Sequence, residues 1–424
     1  YHAAETYIAR LLAAGWKVAI CEQREGSTRG LMDREVVRVV TQGTVLDEAS
    51  LEPACPNHLA AIAVSGERHG LAIVEFSTGN VRVTEPSSWS ALRAELERFQ
   101  VREVIVGDDM EGPDRADLEK GPWAVSAGVG PASDLGDYQP WHRDWPVARE
   151  AAALALGYLS YSHRGALDHL RQAEPYESDR YLRIDAASQR NLELVATFTG
   201  KRRGSLLWVL DSTSTAMGAR TLRGWLLAPL VDPEPISYRL DAVEELTQNV
   251  LLRETIMDTL RGMGDFERIS GRVGTRTATP RDLAALQGGL ERISRLRTGL
   301  EGARAPMLVA LAAEVESLPD TGALIARALV DDAPPNLRSG AIIRSGYHPE
   351  VDELRELSRD CKGWIARLEA GERARTGISS LKVRYNKVFG YYIEVSKPNL
   401  QLVPPEYQRK QTLVGGERFI TPDL

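Results

Sequence analysis

Hydrophobic and polar residues alternate with a two-residue period from Leu381 to Val395 (LKVRYNKVFGYYIEV). Val383, Tyr385, Phe389 and Tyr391 or Tyr392 interleave with Lys382, Arg384, Asn386 and Lys387. Strand residues point alternately to two faces, so one face can pack while the other presents cations and an amide. Asn386-Lys387 followed by Gly390 predicts a turn or bulge, with the glycine marking a close backbone approach. Immediately before this stretch, Val351, Leu354, Leu357, Trp364, Ile365 and Leu368 form a narrow apolar stripe. The spacing predicts one continuous helix over 348–375, roughly 40 Å long.

Towards the N-terminus the pattern alternates between strand and helix periods. Residues 1–14 carry apolar residues at three- and four-residue steps and predict a helix closed by Gly15, with strands at 16–22 and 34–40. Strands are predicted at 59–64, 71–76 and 101–106, a hairpin return at 81–84 and a helix at 88–99. Together they predict a small mixed-sheet domain. Residues 120–147 are rich in Gly, Pro, Trp and Asp and read as a long irregular segment before a helix at 147–160. From about residue 163 the period becomes 3.6. Helices are predicted at 186–199, 215–228, 235–247, 250–261, 264–273, 279–301, 306–317 and 321–330, with a short β-like entry at 182–184.

Composition narrows the classes. The chain has 424 residues, enough for two to four domains, with 43% hydrophobic and 26% charged residues, as in an ordinary globular protein. No apolar run approaches the roughly 18 to 20 residues needed to span a bilayer. No secretory signal pattern opens the chain, and the start at Tyr1 and the end at Leu424 read as those of a piece of a longer protein. The three cysteines, Cys21, Cys55 and Cys361, have no CxxC spacing, which fits a reducing cytoplasm rather than a disulfide or zinc framework.

The net charge of −7 leaves anion binding to a local patch. Residues 376–424 supply one: four Lys and three Arg against four acids, a balance of 7 − 4 = +3. The sequence GxxxxGK[ST] does not occur, so no phosphate-binding loop is visible and the chain alone is expected to be non-catalytic. The seven histidines lack HExxH-like spacing, and no metal ligands are expected. Glu75 on a strand, with Asp108 and Asp109 at a strand end, could hold magnesium, although solvated turn residues are the plainer reading. In the segment 211–230, Arg220 and Arg223 could bind phosphate, with structural ion pairing the expected role.

Several segments together resemble the MutS family of DNA mismatch-repair proteins. Tyr1-His-Ala with Val18-Ala-Ile-Cys-Glu-Gln23 resembles the end of that family's mismatch-recognition domain, and Arg34 to Thr44 (REVVRVVTQGT) the entry to its connector domain. Asp185 to Glu193 (DAASQRNLE) and the 211–230 segment resemble its core, or lever, domain. The stretch 381–395, Tyr407 to Leu413 (YQRKQTL) and Glu417 to Leu424 (ERFITPDL) resemble its clamp domain. Three departures stand out: Phe389 where His is usual, Val414-Gly-Gly416 where a basic or polar residue is common, and Gln42 for a usual Pro.

The resemblance implies a multidomain α/β plus α protein. It places the tail of the mismatch-recognition domain at 1–34, a ribonuclease-H-like α/β connector at 35–162, a mostly helical core/lever domain at 163–375 and the start of a small β-rich clamp at 376–424. It further implies an ATP-regulated homodimeric sliding clamp on mismatched double-stranded DNA, with a MutL-type downstream partner, in the cytoplasm at the nucleoid. ATP and magnesium would belong to the full-length protein and neither to this segment. Lys382, Arg384, Asn386, Lys387, Lys397, Arg409, Lys410 and Thr412 are the implied contacts to DNA backbone, a sequence-independent mode of binding. Two other readings stand beside this one: a magnesium-dependent nuclease of ribonuclease-H-like fold, and a MutS-like protein not acting in mismatch repair.

Overall fold

The computed structural model describes residues 4–23, 34–107, 110–130, 145–165, 167–386 and 390–421. The chain divides into two compact units, residues 1–342 and 343–424.

The first unit opens with α1 (Ala4–Ala13) and an antiparallel pair, β1 (Val18–Gln23) and β2 (Arg34–Val40). Next come β3 (Leu59–Ser65), β4 (Arg68–Glu75) and β5 (Asn80–Thr84), an antiparallel meander. Helix α2 (Trp89–Arg98) leads to β6 (Glu103–Val106), parallel to β3, and α3 (Pro113–Leu118) leads to β7 (Ala124–Ala127), parallel to β6. After α4 (Pro146–His163), the two-residue β8 (Glu174–Pro175) pairs with β5, so the strand order is β7-β6-β3-β4-β5-β8.

This sheet is covered on both faces. Leu59, Ala61, Ala72, Val74 and Ile105 pack with the Ala148, Ala151, Ala152 and Ala155 stripe of α4. Their strand neighbours Ala60, Ile62, Ile73, Val104 and Val106 pack with Leu92 and Leu96 of α2. Two-sided burial explains why these strands read as apolar runs rather than as clean alternation. The alanines let α4 approach closely: a Cβ on Gly70 of β4 would stand 2.0 Å from the Val147 carbonyl oxygen.

Helices make up most of the rest: α5 (Ala186–Asn191), α6 (Leu206–Leu210), α7 (Ala216–Leu227), α8 (Pro233–Gln248), α9 (Val250–Leu260), α10 (Phe266–Gly274), α11 (Pro280–Leu300), α12 (Pro306–Glu314) and α13 (Pro319–Ala328). Proline sits at the first turn of α8, α11, α12 and α13, where its missing N–H costs nothing. A capping box joins Thr279 and Asp282 at the start of α11. Seven of the predicted helices stand, within a few residues at their ends. The helix expected over 186–199 stops at Asn191: Glu193 takes a left-handed φ of 47°, and Thr197 closes a turn with Lys201. The β-like entry at 182–184 reduces to an isolated bridge of Tyr181 with Leu230.

The second unit contains α14 (Pro349–Arg359), α15 (Cys361–Thr376) and four strands, β9 (Lys382–Asn386), β10 (Gly390–Ser396), β11 (Gln408–Thr412) and β12 (Gly416–Ile420). The strands form an antiparallel sheet in the order β11-β12-β10-β9. The single helix expected over 348–375 is instead two. Asp360 leaves the helical region (φ −107°, ψ 38°), and its carboxylate accepts from Gly363 N at 3.1 Å and pairs with Arg367 at 2.8 Å. An aspartate that caps the helix after it ends the helix before it. Glycine at 363 leaves room for this carboxylate: a Cβ there would lie 2.1 Å from Asp360 Oδ1 and would oblige the aspartate side chain to shift.

Candidate nucleic-acid interface

The β9–β10 register sets Val383 opposite Ile393, Tyr385 opposite Tyr391, Arg384 opposite Tyr392 and Lys382 opposite Glu394. One face therefore carries Val383, Ile393 and Val395, buried with Ile378, Leu381, Tyr407 and Phe419. Ile365 of α15 packs on this cluster. Polar contacts fasten the helix to the sheet: Val383 N donates to Glu369 at 2.8 Å, Arg373 to the Leu381 carbonyl at 2.8 Å, and the Tyr407 hydroxyl to Glu372. Burial alone would raise the Glu372 carboxyl, but the Arg375 guanidinium and the Tyr407 hydroxyl hold it below its ordinary value. Gly390 takes a φ of 76° at the entry to β10. Among the described residues nothing lies within 4 Å of a Cβ built there, and the positive φ is a backbone conformation that glycine adopts without strain.

The opposite face is cationic. Lys382 and Arg384 are exposed on it, and Arg418 joins them from β12, opposite Glu394. The Arg418 guanidinium lies 4.4 Å from the centre of the Tyr392 ring, 3.6 Å from Glu394 and 2.8 Å from Gln411 Oε1. Of the two tyrosines of β10, Tyr392 is thus on the cationic side, where it is buried. Tyr385, expected to pack, is 62% exposed and meets the edge of Tyr391, ring centres 5.1 Å apart. The apolar cluster is built around Val383, Ile393 and Val395, and Tyr385 lies beyond it.

The implied backbone contacts fall into two groups. Lys382 and Arg384 are exposed on β9, and Asn386, half-buried, ends that strand. Lys387 lies outside the described residues. Arg409, Lys410 and Thr412 are exposed on β11, three strand spacings away, roughly 14 Å. The register slips between Arg409 and Gln411, which leaves Lys410 as a bulged residue. Lys397 is exposed at the start of a 3-10 turn, Lys397–Leu402. Arg409 stands 3.5 Å from Glu417, whereas Lys382, Arg384, Lys397 and Lys410 have no carboxylate within 4.0 Å among the described residues. Arg418 was not among the expected contacts, although the Arg-Phe alternation of 418–419 places it on the opposite face from the buried Phe419.

Of the rival site in the first unit, Glu75 is met by protein donors. Glu75 is buried, 3.3 Å from Asn57 N and 3.4 Å from the Ser77 hydroxyl, with Arg268 and His58 each at 3.9 Å. Asp108 and Asp109 lie outside the described residues. Glu103, which the pattern alone does not single out, is 1% exposed on β6. It accepts from the hydroxyls of Thr41 (2.5 Å), Ser126 (2.5 Å) and Tyr158 (2.7 Å) and from Gly43 N (3.0 Å). Arg220 is ion-paired as expected, to Asp265 at 2.6 Å and Glu267 at 2.6 Å, and also donates to the Pro53 carbonyl at 3.0 Å. Burial would raise the Asp265 carboxyl, but its bonds to Arg220 bring it below the ordinary value.

Comparison with known proteins agrees with this architecture. MutS domain III matches residues 187–413, MutS domain I residues 1–49 and MutS domain II residues 57–121. Proteins named DNA mismatch repair protein MutS from Symbiobacterium thermophilum, Desulforamulus reducens and Geobacillus kaustophilus are 44%, 40% and 43% identical to it. Each alignment covers 100% of this chain and 51%, 51% and 48% of those proteins, so the chain spans about half their length. Three consecutive domains in order, one of them matching more than half of the residues, establish that the chain belongs to the MutS family.

Proposed function

We propose that this chain is the part of a DNA mismatch-recognition protein that grips the DNA backbone through the cationic face of its second unit. The observation that carries this reading is the set of exposed cations without carboxylate partners, Lys382, Arg384, Lys397 and Lys410. Elsewhere in the same unit Arg373, Arg375 and Arg418 have carboxylate partners. Cations left unpaired can meet phosphates without first breaking an ion pair. Lys and Arg aimed at phosphate give affinity without base readout, so a mispair would be sensed elsewhere in the protein.

In this reading the complete protein is a homodimeric, ATP- and magnesium-dependent sliding clamp. It acts on mismatched duplex DNA in the cytoplasm at the nucleoid and hands over to a MutL-type factor. The α/β sheet serves as a ribonuclease-H-like connector without nuclease chemistry, and the helices of the first unit link sensor to motor. The test is charge reversal of Lys382, Arg384, Lys387 and Lys410 to Glu in the complete protein. DNA affinity should fall at low salt, and the slope of log affinity against log salt should shrink by about 3 to 4. An unchanged slope would remove the sheet from the interface.

A further inference from the structure

Within the first unit a cavity of about 320 Å³ opens between the α/β sheet and the helices. Five arginines line it: Arg82 of β5, Arg98 of α2, Arg220 and Arg223 of α7, and Arg239 of α8. The carboxylates lining it are Glu75 and Glu267. Two of the arginines are neutralised in place, Arg98 by Glu95 and Arg220 by Asp265 and Glu267.

The other three are held by uncharged groups. Arg223 donates from Nε to Gln100 Oε1 at 3.1 Å. Arg239 lies over the Trp225 ring at 3.9 Å, and Arg82 faces the Phe99 ring at 5.9 Å. Among the described residues none of the three has a carboxylate within 4.0 Å. His58 on the cavity wall adds no charge to offset: its Nδ1 donates to the Phe99 carbonyl at 2.6 Å, and burial keeps the ring neutral. Three like charges around one cavity repel each other, and the remedy the chain uses for Arg98 and Arg220, an adjacent carboxylate, is missing for these. An anion in the cavity would supply it.

We propose that this cavity binds a small phosphate-bearing anion, with Arg82, Arg223 and Arg239 as its donors. Guanidinium forks match phosphate oxygens in pairs, and the contacts of Arg223 with Gln100 and of Arg239 with Trp225 orient two of the three before the ligand arrives. The volume is at the small end for ligand sites and admits a pyrophosphate or the phosphate chain of a nucleotide. This site is separate from the cationic sheet of the second unit, and it stands whether or not that sheet grips DNA.

The experiment is calorimetric titration of the 424-residue chain with sodium pyrophosphate and, separately, with ADP. The chain has no GxxxxGK[ST], so ADP bound to it is not bound by such a loop. Both should bind. Equal affinities place recognition in the phosphates alone, tighter ADP binding adds the aromatic walls, and either result upholds the site. Arg223→Gln and Arg239→Gln should each weaken binding about tenfold or more. Gly224→Met, on a cavity-lining helical glycine with nothing within 4 Å of its Cβ, should block entry while leaving the fold intact. If Arg223→Gln fails to fold, Arg239→Gln and Gly224→Met give the answer. No heat at millimolar pyrophosphate, or unaltered binding in the Arg239→Gln and Gly224→Met variants, overturns the proposal.

Discussion

Glu103 of β6 and Lys382 of β9 are both charged residues on strands, and their surroundings differ in kind. Glu103 has lost its water and is surrounded by four protein donors. Lys382 keeps its water and has no carboxylate partner among the described residues. The first arrangement costs desolvation that only complete hydrogen bonding repays, so it fixes geometry and leaves nothing over for a ligand. The second contributes little to stability and remains available to an incoming anion. Arg220 and Arg384 repeat the contrast between two arginines. Charge type alone does not mark a binding site; the difference is whether the protein has already answered the charge.

The largest effect should come from Glu103→Ala. It strands the hydroxyls of Ser126 and Tyr158 and the Gly43 N–H in the interior and leaves the Thr41 hydroxyl with its Thr44 partner, and should lower stability by about 3 kcal/mol in a denaturant titration. A loss below about 1 kcal/mol would mean that the hydroxyls find other partners and that the carboxyl is not the organising group. Arg220→Ala should cost about 3 kcal/mol by leaving Asp265 and Glu267 facing each other without their cation.

His163 gives a smaller effect with a pH signature. Burial first, then the nearby Arg38 and His169, lower its pKa to about 4. Between that value and the ordinary histidine range the unfolded chain binds a proton that the folded chain refuses. Stability should therefore fall as pH drops from 7 towards 4, by about 1–2 kcal/mol once partial solvent screening is allowed for. His163→Asn should flatten that slope, and a slope equal to wild type would show that other groups carry it. The smallest effect on folding is expected of Lys382→Gln with Arg384→Gln: within about 0.5 kcal/mol by thermal melt. A larger loss would place these two with Glu103 rather than opposite it.

The elements that the chain pattern predicts well are those whose burial follows one simple period. The helices at 215–228 and 279–301 and strand β9 are of this kind, while the strands at 59–64 and 71–76 are marked by short apolar runs because both their faces are buried. What escapes the pattern is set by partners far away in sequence. Strand β7 has only four residues in a Gly- and Pro-rich stretch, and it exists because β6 lies beside it. The break at Asp360 depends on a side chain folding back onto Gly363, a local choice that the apolar stripe across 348–375 conceals. Glu103 is legible in hindsight: a carboxylate within an apolar run, on a strand covered on both faces, has to be surrounded by donors. Of the interface, residue types and the alternation of β9 were legible. The burial of Tyr392 beneath Arg418 was not, because it depends on the pairing of β10 with β12.

The bulge at Lys410 has a bearing on solubility. Among the described residues β11 and β9 are the outermost strands of their sheet, and outermost strands offer unpaired backbone to any other chain. On β11 the slipped register interrupts that row of donors and acceptors, and on β9 Lys382 and Arg384 set charge beside it. Charge placed there by these cations disfavours edge-to-edge pairing. Neutralising them while restoring a regular β11 should yield a sheet that folds as before but self-associates at lower concentration.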